Sequence, residues 1–333
     1  MEKFSNGLTL FFSLLVEAIP FLLIGVAFSS LLLFFVNERT LIKLMPKHPL
    51  LGALAGSLMG VFFPVCECGN VPVARRLIVQ GAPSSVAVGF LLAAPTINPV
   101  VFWATWVAFR GQPEIVFLRV GFTLLIAVTI AWVFSQQRDM RPLLQPVVAR
   151  QMPKPRGAEP ANPLLRSGTF LMQPGGKTLN MDDPVAQEMI ASGPDKPFGV
   201  KLQLVLDNMV QEMKELGAVL ILGSAIAAFV QVAIPRDWIL ALGQNFITSI
   251  LAMMLLAAVV SICSTVDSFF ALSFASTFTT GAQLAFLVFG PMIDLKNIGL
   301  LLTLFKPRVI FYIFVLAAQL CFILTLFINF YVS

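Results

Sequence analysis

The residues of this chain best suited to chemistry crowd into two short stretches. The first, 64–77 (PVCECGNVPVARRL), holds Cys66, Glu67, Cys68, Gly69, Asn70 and Pro72, followed by Arg75 and Arg76. The second, 263–268 (CSTVDS), holds Cys263 and Asp267. Thiolates are soft ligands that prefer zinc, copper(I) or trivalent arsenic, so Cys66, Cys68 and Cys263 are the candidate metal ligands. Cys66 and Cys68 would diverge on a regular helix, whereas a turn around Gly69 would let both face one cavity. The plainer alternative is that small cysteines simply allow tight helix contact. Glu67 and Asp267 have several open roles: counter-charges for Arg75 and Arg76, cation ligands, proton carriers, or ordinary interfacial groups. Arg75 and Arg76 fit a helix end snorkelling towards headgroups better than a substrate contact.

These stretches sit in a very apolar chain. Of its 333 residues 58% are hydrophobic and 12% charged, and the mean hydropathy is +0.88. Soluble domains carry about twice that charge, so composition predicts an all-α polytopic membrane protein, multi-pass in the cell (inner or plasma) membrane. The net charge of +5 lies largely outside the apolar runs, which points to cytoplasmic anchoring and away from nucleic acid. The first apolar run, 8–36, carries Glu17 and is too long for a signal peptide, so it reads as a transmembrane helix kinked or tilted at Pro20. Further spans are predicted at 50–66, 83–109, 113–134, 217–235, 246–264, 282–304 and 307–331.

The chain divides into a first membrane repeat (1–134), a polar, proline-containing cytoplasmic linker (135–200), and a second repeat with an interfacial helix (201–333). Within the linker, 175-GGKT-178 lacks the first glycine and the preceding strand of a phosphate-binding loop. After it, Leu202, Val205, Leu206, Met209, Val210 and Met213 share one helical face, the pattern of a helix lying at the interface before the chain turns into the bilayer.

Three landmarks recur at a nearly constant offset. Glu17 precedes Gly25 as Glu215 precedes Gly223; Cys66 ends an apolar run as Cys263 does; and 87–98 resembles 283–294, matching Pro95 with Pro291 and Asn98 with Asp294. Two internal repeats of four to five segments follow, with broken central helices and the binding site at their interface. Four crossings per half would make the repeats parallel. Five would invert them and bring Arg39, Lys43, Lys47, Lys306 and Arg308 to the cytoplasmic side with the linker, the arrangement the positive-inside rule prefers. Intramembrane ionisable groups mark pathways. The candidate substrate contacts are therefore Cys66, Glu67, Cys68, Gly69, Asn70, Pro72, Asn98, Cys263, Asp267 and Asp294, with Glu17 and Glu215 as coupling candidates. Lys296 could neutralise Asp294, leaving that pair structural. No nucleophile–base pair or complete zinc set can be assembled, His48 has no partners, and no cofactor is implied, so an enzyme is disfavoured.

At these residues the chain resembles the predicted-permease family that includes the ArsP organoarsenical exporters. The likeness rests on PVCECGNVPVARRL at 64–77 and GAPSSVAVGFLLAAPTINP at 81–99, with a weaker second copy at 263–294. It implies efflux of a small soft metal or metalloid species, such as a trivalent organoarsenical, through Cys66, Cys68 and Cys263. Some members work with a second subunit, so a second permease subunit or a homo-oligomer is compatible, as is a non-transporting scaffold role. Two departures weaken a direct transfer of arsenical specificity. Glu67 places a charge between the cysteines, and Cys263 is followed by Ser264 and Thr265 where the first copy has its second cysteine. Glu67 favours a cation or proton-coupled solute, and another ion or metabolite passing structural cysteines remains the rival.

Overall fold

Prolines open many of the helices. Their missing N–H is not needed in the first turn and their fixed φ suits it. Pro49, Pro99, Pro113, Pro146 and Pro307 each stand at a helix start. The computed structural model describes residues 2–35, 45–46, 48–62, 67–137, 140–152, 170–172, 178–180, 198–233, 245–274 and 277–331. In chain order the helices are α1 (Glu2–Phe35), α2 (Pro49–Leu58, continued by a 3-10 turn), α3 (Glu67–Val79), α4 (Ser84–Ala93), α5 (Pro99–Ala108), α6 (Pro113–Ser135) and α7 (Pro146–Gln151). They continue as α8 (Phe198–Ala233), α9 (Phe246–Val260), α10 (Asp267–Leu272), α11 (Thr280–Met292), α12 (Leu295–Leu301) and α13 (Pro307–Tyr331). The described strands are a three-residue antiparallel pair, β1 (Phe170–Met172) and β2 (Thr178–Asn180).

Among the described residues, four stretches are long and apolar enough to cross a membrane: Ser5–Ala27, Pro113–Ser135, Thr280–Leu301 and Pro307–Tyr331. The outer faces of Pro113–Ser135 and Pro307–Tyr331 stay apolar where a soluble protein would turn polar, with Phe117, Phe311, Ile323 and Phe330 all exposed. The inner faces meet in one continuous apolar core built from both ends of the chain.

The structure revises several sequence expectations. The span expected at 83–109 is two helices, broken at 94–98, and 282–304 is likewise broken at Ile293–Asp294. Each break ends in an extended residue that caps the next helix, Asn98 before α5 and Asp294 before α12. Gly69 lies inside α3 and not at a turn. The helix expected at the interface and the span after it are one continuous helix, α8, whose 36 residues reach roughly 54 Å, well beyond a ~30 Å hydrocarbon core. The start of the expected linker is packed: Leu144 bridges Phe305, Gln145 N–H donates to the Leu304 carbonyl at 3.0 Å, and α7 lies against α3.

Contacts between residues fix helix directions. Gly7 faces Val232, and Leu14 clusters with Ala227 and Ala228, so α1 and α8 pack antiparallel. Gly52 meets Ser85, Gly56 meets Val86 and Gly60 meets Ala94, contacts that advance together, so α2 and α4 run parallel. A Cβ on Gly56 would come within 2.2 Å of the Val86 carbonyl oxygen, so the parallel pair can approach this closely only with glycine there. Parallel neighbours two helices apart in sequence require the chain to run back between them, and α3 makes that return.

Candidate functional site

Short helices from the two ends of the chain meet at two junctions that carry candidate residues. At the first, α3 packs on α12; at the second, α5 packs on α10. The chemically active residues collect at both.

At the first junction α3 begins at Glu67, with Cys68 and Asn70 buried behind it. The long helix α1 seats this segment. A Cβ on Gly25 would fall 2.4 Å from the Gly69 backbone, so the two helices touch main chain to main chain. Asn70 Nδ2 donates to the Leu91 carbonyl at 2.7 Å and ties α3 to α4. Glu67 is 1% exposed, and neither carboxylate oxygen has a hydrogen-bond partner among the described residues. From the other side Asp294 caps α12: one oxygen accepts the Asn297 amide hydrogen, and Oδ2 has no hydrogen-bond partner among the described residues. Two residues on, Lys296 is 1% exposed and its Nζ donates to the Ser261 carbonyl at 3.2 Å. Ser261 ends α9 in a left-handed conformation, φ 49°, unusual for a side chain with a Cβ. That twist leads the chain into Cys263, which is buried. Glu67 lies within electrostatic reach of Cys68, Cys263, Asp294 and Lys296, and Asp294 within reach of Cys263 and Lys296.

The second junction is a hydrogen-bonded network around one buried ion pair. Arg119 of α6 makes a two-pronged pair with Asp267 at the start of α10: Nη2–Oδ2 2.6 Å and Nη1–Oδ1 3.0 Å, with the two side chains 1% and 4% exposed. Arg119 Nη1 also donates to Ser268 Oγ at 2.8 Å and to Thr105 Oγ1 at 2.9 Å, and Nη2 to the Ser264 carbonyl at 3.4 Å. The Thr105 and Ser268 hydroxyls are themselves 3.0 Å apart. Both charges are paired, as a buried ion pair requires, while Arg119 Nε has no hydrogen-bond partner among the described residues.

Of the residues singled out from the sequence, Cys68, Cys263 and Asp294 lie within electrostatic reach of Glu67. Gly69 and Pro72 lie in the buried helix behind them, and Gly69 is the seat for α1. Asp267 takes Arg119 as its counter-charge, not Arg75 or Arg76. Asn98 serves its own helix break: Oδ1 accepts from Val101 N–H at 2.9 Å, and Nδ2 faces the carbonyls of Ala94 and Pro95 at 3.4 Å. Glu215 pairs with Arg75 at 3.0 Å, and at 50% exposure it stands apart from the junctions. Arg76 is buried in the last turn of α3 and does not snorkel at a surface. Cys66 and the side chain of Glu17 lie outside the described residues. Among the described residues no group of three or more His, Cys, Asp or Glu could hold a metal ion. Sequence reasoning missed Arg119 and its hydroxyl partners Thr105 and Ser268. The signal was present: Arg119 is the only basic residue within the apolar run 113–135.

The family model described as a predicted permease, ArsP_1, matches residues 3–330. The chain belongs to that family. The resemblance carried by 64–77 and 81–99 thus extends over nearly the whole sequence. Among its relatives, UPF0718 protein YcgR of Bacillus subtilis (strain 168) is 39% identical over 303 residues, covering 91% of this chain and 90% of that protein. A protein of Streptococcus mutans serotype c, provisionally named a two-component membrane permease complex subunit, is 31% identical over 303 residues, covering 91% and 88%. No solved structure matches the chain. Membership in the family, together with the four long apolar helices, supports a membrane protein of permease type.

Proposed function

We propose that this chain is a multi-pass plasma-membrane permease, not an enzyme, that moves a small thiophilic solute by alternating access. The observation that carries this reading is Glu67: a fully buried carboxylate with no hydrogen-bond partner among the described residues, set beside Cys68 and Cys263 where the two ends of the chain meet. A polar group in that position is costly unless something it binds completes it. The solute site is then formed by 67–70, 261–268 and 294–297, with the thiols of Cys68 and Cys263 selecting a soft metal or metalloid species such as a trivalent organoarsenical.

Two inverted repeats account for the architecture. The helices α1 to α6 would correspond in order to α8 to α13, leaving out α7. Three kinds of packing support the pairing. The counterparts α1 and α8 run antiparallel, as inversion requires. Counterpart pairs recur, with α2 on α4 matched by α9 on α11, and α4 on α6 matched by α11 on α13. The two junctions are also counterparts, since exchanging the halves turns α5 on α10 into α12 on α3. Parallel α2 and α4 make α3 a return segment, which gives the odd number of segments that inversion needs.

Binding to the purified full chain tests the site. A trivalent methylarsenical, zinc and copper(I) are titrated into wild type, Cys68→Ser, Cys263→Ser and Glu67→Gln. Binding of at least one probe, weakened tenfold or more by a cysteine change, supports the reading; equal binding by all four proteins overturns it. The name of the Streptococcus relative favours a second reading, in which the chain is one subunit of a two-component permease. The chain alone would then bind the solute but fail to move it into liposomes.

A further inference from the structure

The segment that follows α6 ties the two halves of the chain together at one end of the molecule. Residues 140–145 lie along the turn 302–306, which links α12 to α13. Leu144 and Phe305 are antiparallel bridge partners, flanked by two reciprocal backbone bonds. Gln145 N–H donates to the Leu304 carbonyl and Lys306 N–H to the Leu143 carbonyl, each at 3.0 Å. The Gln145 side chain adds two more, its Nε2 donating to the carbonyls of Leu302 at 3.0 Å and Phe305 at 3.2 Å. Leu302 is the C-cap of α12, so the Gln145 amide caps that helix from outside. Apolar anchors seat the segment as well. Leu144, Phe305 and Val148 of α7 are all buried, and α7 packs on α3.

We propose that residues 140–151 form a latch that seals the linker side of the permease and releases for solute to pass. This rests on the permease site described above and deepens it by naming what closes it. The latch holds both short helices of the first junction, α3 from one half and α12 from the other. Asp294 stands at the N-cap of α12 and the latch at its C-cap, so seven residues, roughly 10 Å of helix, separate them. Halves that rock against one another cannot both keep a strap fastened, so one attachment opens in each cycle. The α12 attachment is suited to opening. The bond from Gln145 to the Leu302 carbonyl is exposed, and water replaces such a bond at small net cost. The repeat pairing leaves α7 without a counterpart, which makes the latch a property of one face. Arg141, Arg150, Lys306 and Arg308 lie in or beside it, and the positive-inside rule assigns that face to the cytoplasm. A segment that only stabilised the fold would, when weakened, loosen both faces; a latch loosens one.

Cys263 is buried, so its alkylation reports the seal without a cargo. The full-length protein in membrane vesicles of each orientation is exposed to a membrane-impermeant maleimide, and peptide mass spectrometry times the modification of Cys263. Gln145→Ala loses both side-chain bonds and is alkylated roughly threefold faster or more from the cytoplasmic face, with the rate from the other face unchanged. The pair Leu144→Cys with Phe305→Cys puts two sulfurs on directly opposed strand residues, whose Cα atoms lie about 4.5 Å apart in such a pair, within disulfide reach. Once oxidised, it slows cytoplasmic alkylation roughly fivefold or more against either single variant given the same oxidant. Equal rates in wild type, Gln145→Ala and the cross-linked protein overturn the latch, and so does an acceleration of the same size from both faces. Should the cysteine pair not fold, the Gln145→Ala rates from the two faces decide alone. The probe titrations of the solute site separate the two proposals. If wild type binds no probe while alkylation follows the latch, the solute reading fails and the seal stands. If probes bind and alkylation ignores the latch, only the latch fails.

Discussion

Replacing Asp267 by Asn is the sharpest test of the second junction. The carboxylate accepts two guanidinium hydrogens, at 2.6 and 3.0 Å, and the Ser268 hydroxyl at 3.2 Å. An amide of the same shape keeps one acceptor and turns an NH2 towards the guanidinium, so one charge-assisted bond is lost and two donors face each other. Arg119 keeps Thr105, Ser268 and the Ser264 carbonyl, but its charge stays buried without a counter-charge. Both partners are almost fully shielded from solvent, so screening gives little relief, and breaking such a pair costs about 3–5 kcal/mol. Replacing both partners, as Arg119→Met with Asp267→Asn, removes the stranded charge and recovers a large part of that loss. Equilibrium unfolding in mixed detergent–denaturant micelles, run on wild type, both single variants and the double, reads the coupling directly. A single-variant loss below about 1 kcal/mol, or strictly additive effects in the double, would refute the argument that this pair locks α6 to α10.

Three further outcomes follow from particular contacts. Gly25→Ala destabilises the chain by more than about 2 kcal/mol in the same assay, because its Cβ would meet the Gly69 backbone at 2.4 Å; Gly217→Ala, with nothing within 4 Å, is neutral or stabilising by up to about 1 kcal/mol. Asp294→Ala loses a helix cap worth about 1 kcal/mol, whereas Asp294→Asn keeps the cap and removes only the charge. Comparing the two by unfolding separates the cap from the charge. Glu215→Gln changes stability by less than about 1 kcal/mol and leaves solute binding intact, since its pair with Arg75 is half exposed.

Much of the fold was legible because lipid-facing helices announce themselves by length and apolarity. The runs 8–36, 113–134 and 307–331 reappear as α1, α6 and α13. The breaks within 83–109 and 282–304 are less legible, because a capped break adds only one polar residue to an apolar run: Asn98 and Asp294 stand out as a matched pair, yet hydropathy reads each run as one span. The interfacial helix was misplaced for a related reason. Periodicity over 200–217 reports a face, but not whether the next apolar stretch continues the same helix, and α8 shows that it does.

The sequence by itself determined which residues are too polar for their surroundings: Glu67, Asp267, Asp294 and the nearby cysteines. That follows from composition alone, since burying a charge is costly wherever the chain places it. The tertiary structure decided which of those charges are satisfied. Asp267 finds Arg119, which lies 148 residues earlier in the chain; Glu215 finds Arg75, 140 residues earlier; Asp294 caps its own helix; and Glu67, next to the same thiols, finds no hydrogen-bond partner among the described residues. Pairing over such separations depends on how α3, α10 and α12 cross one another, and no local pattern encodes that crossing.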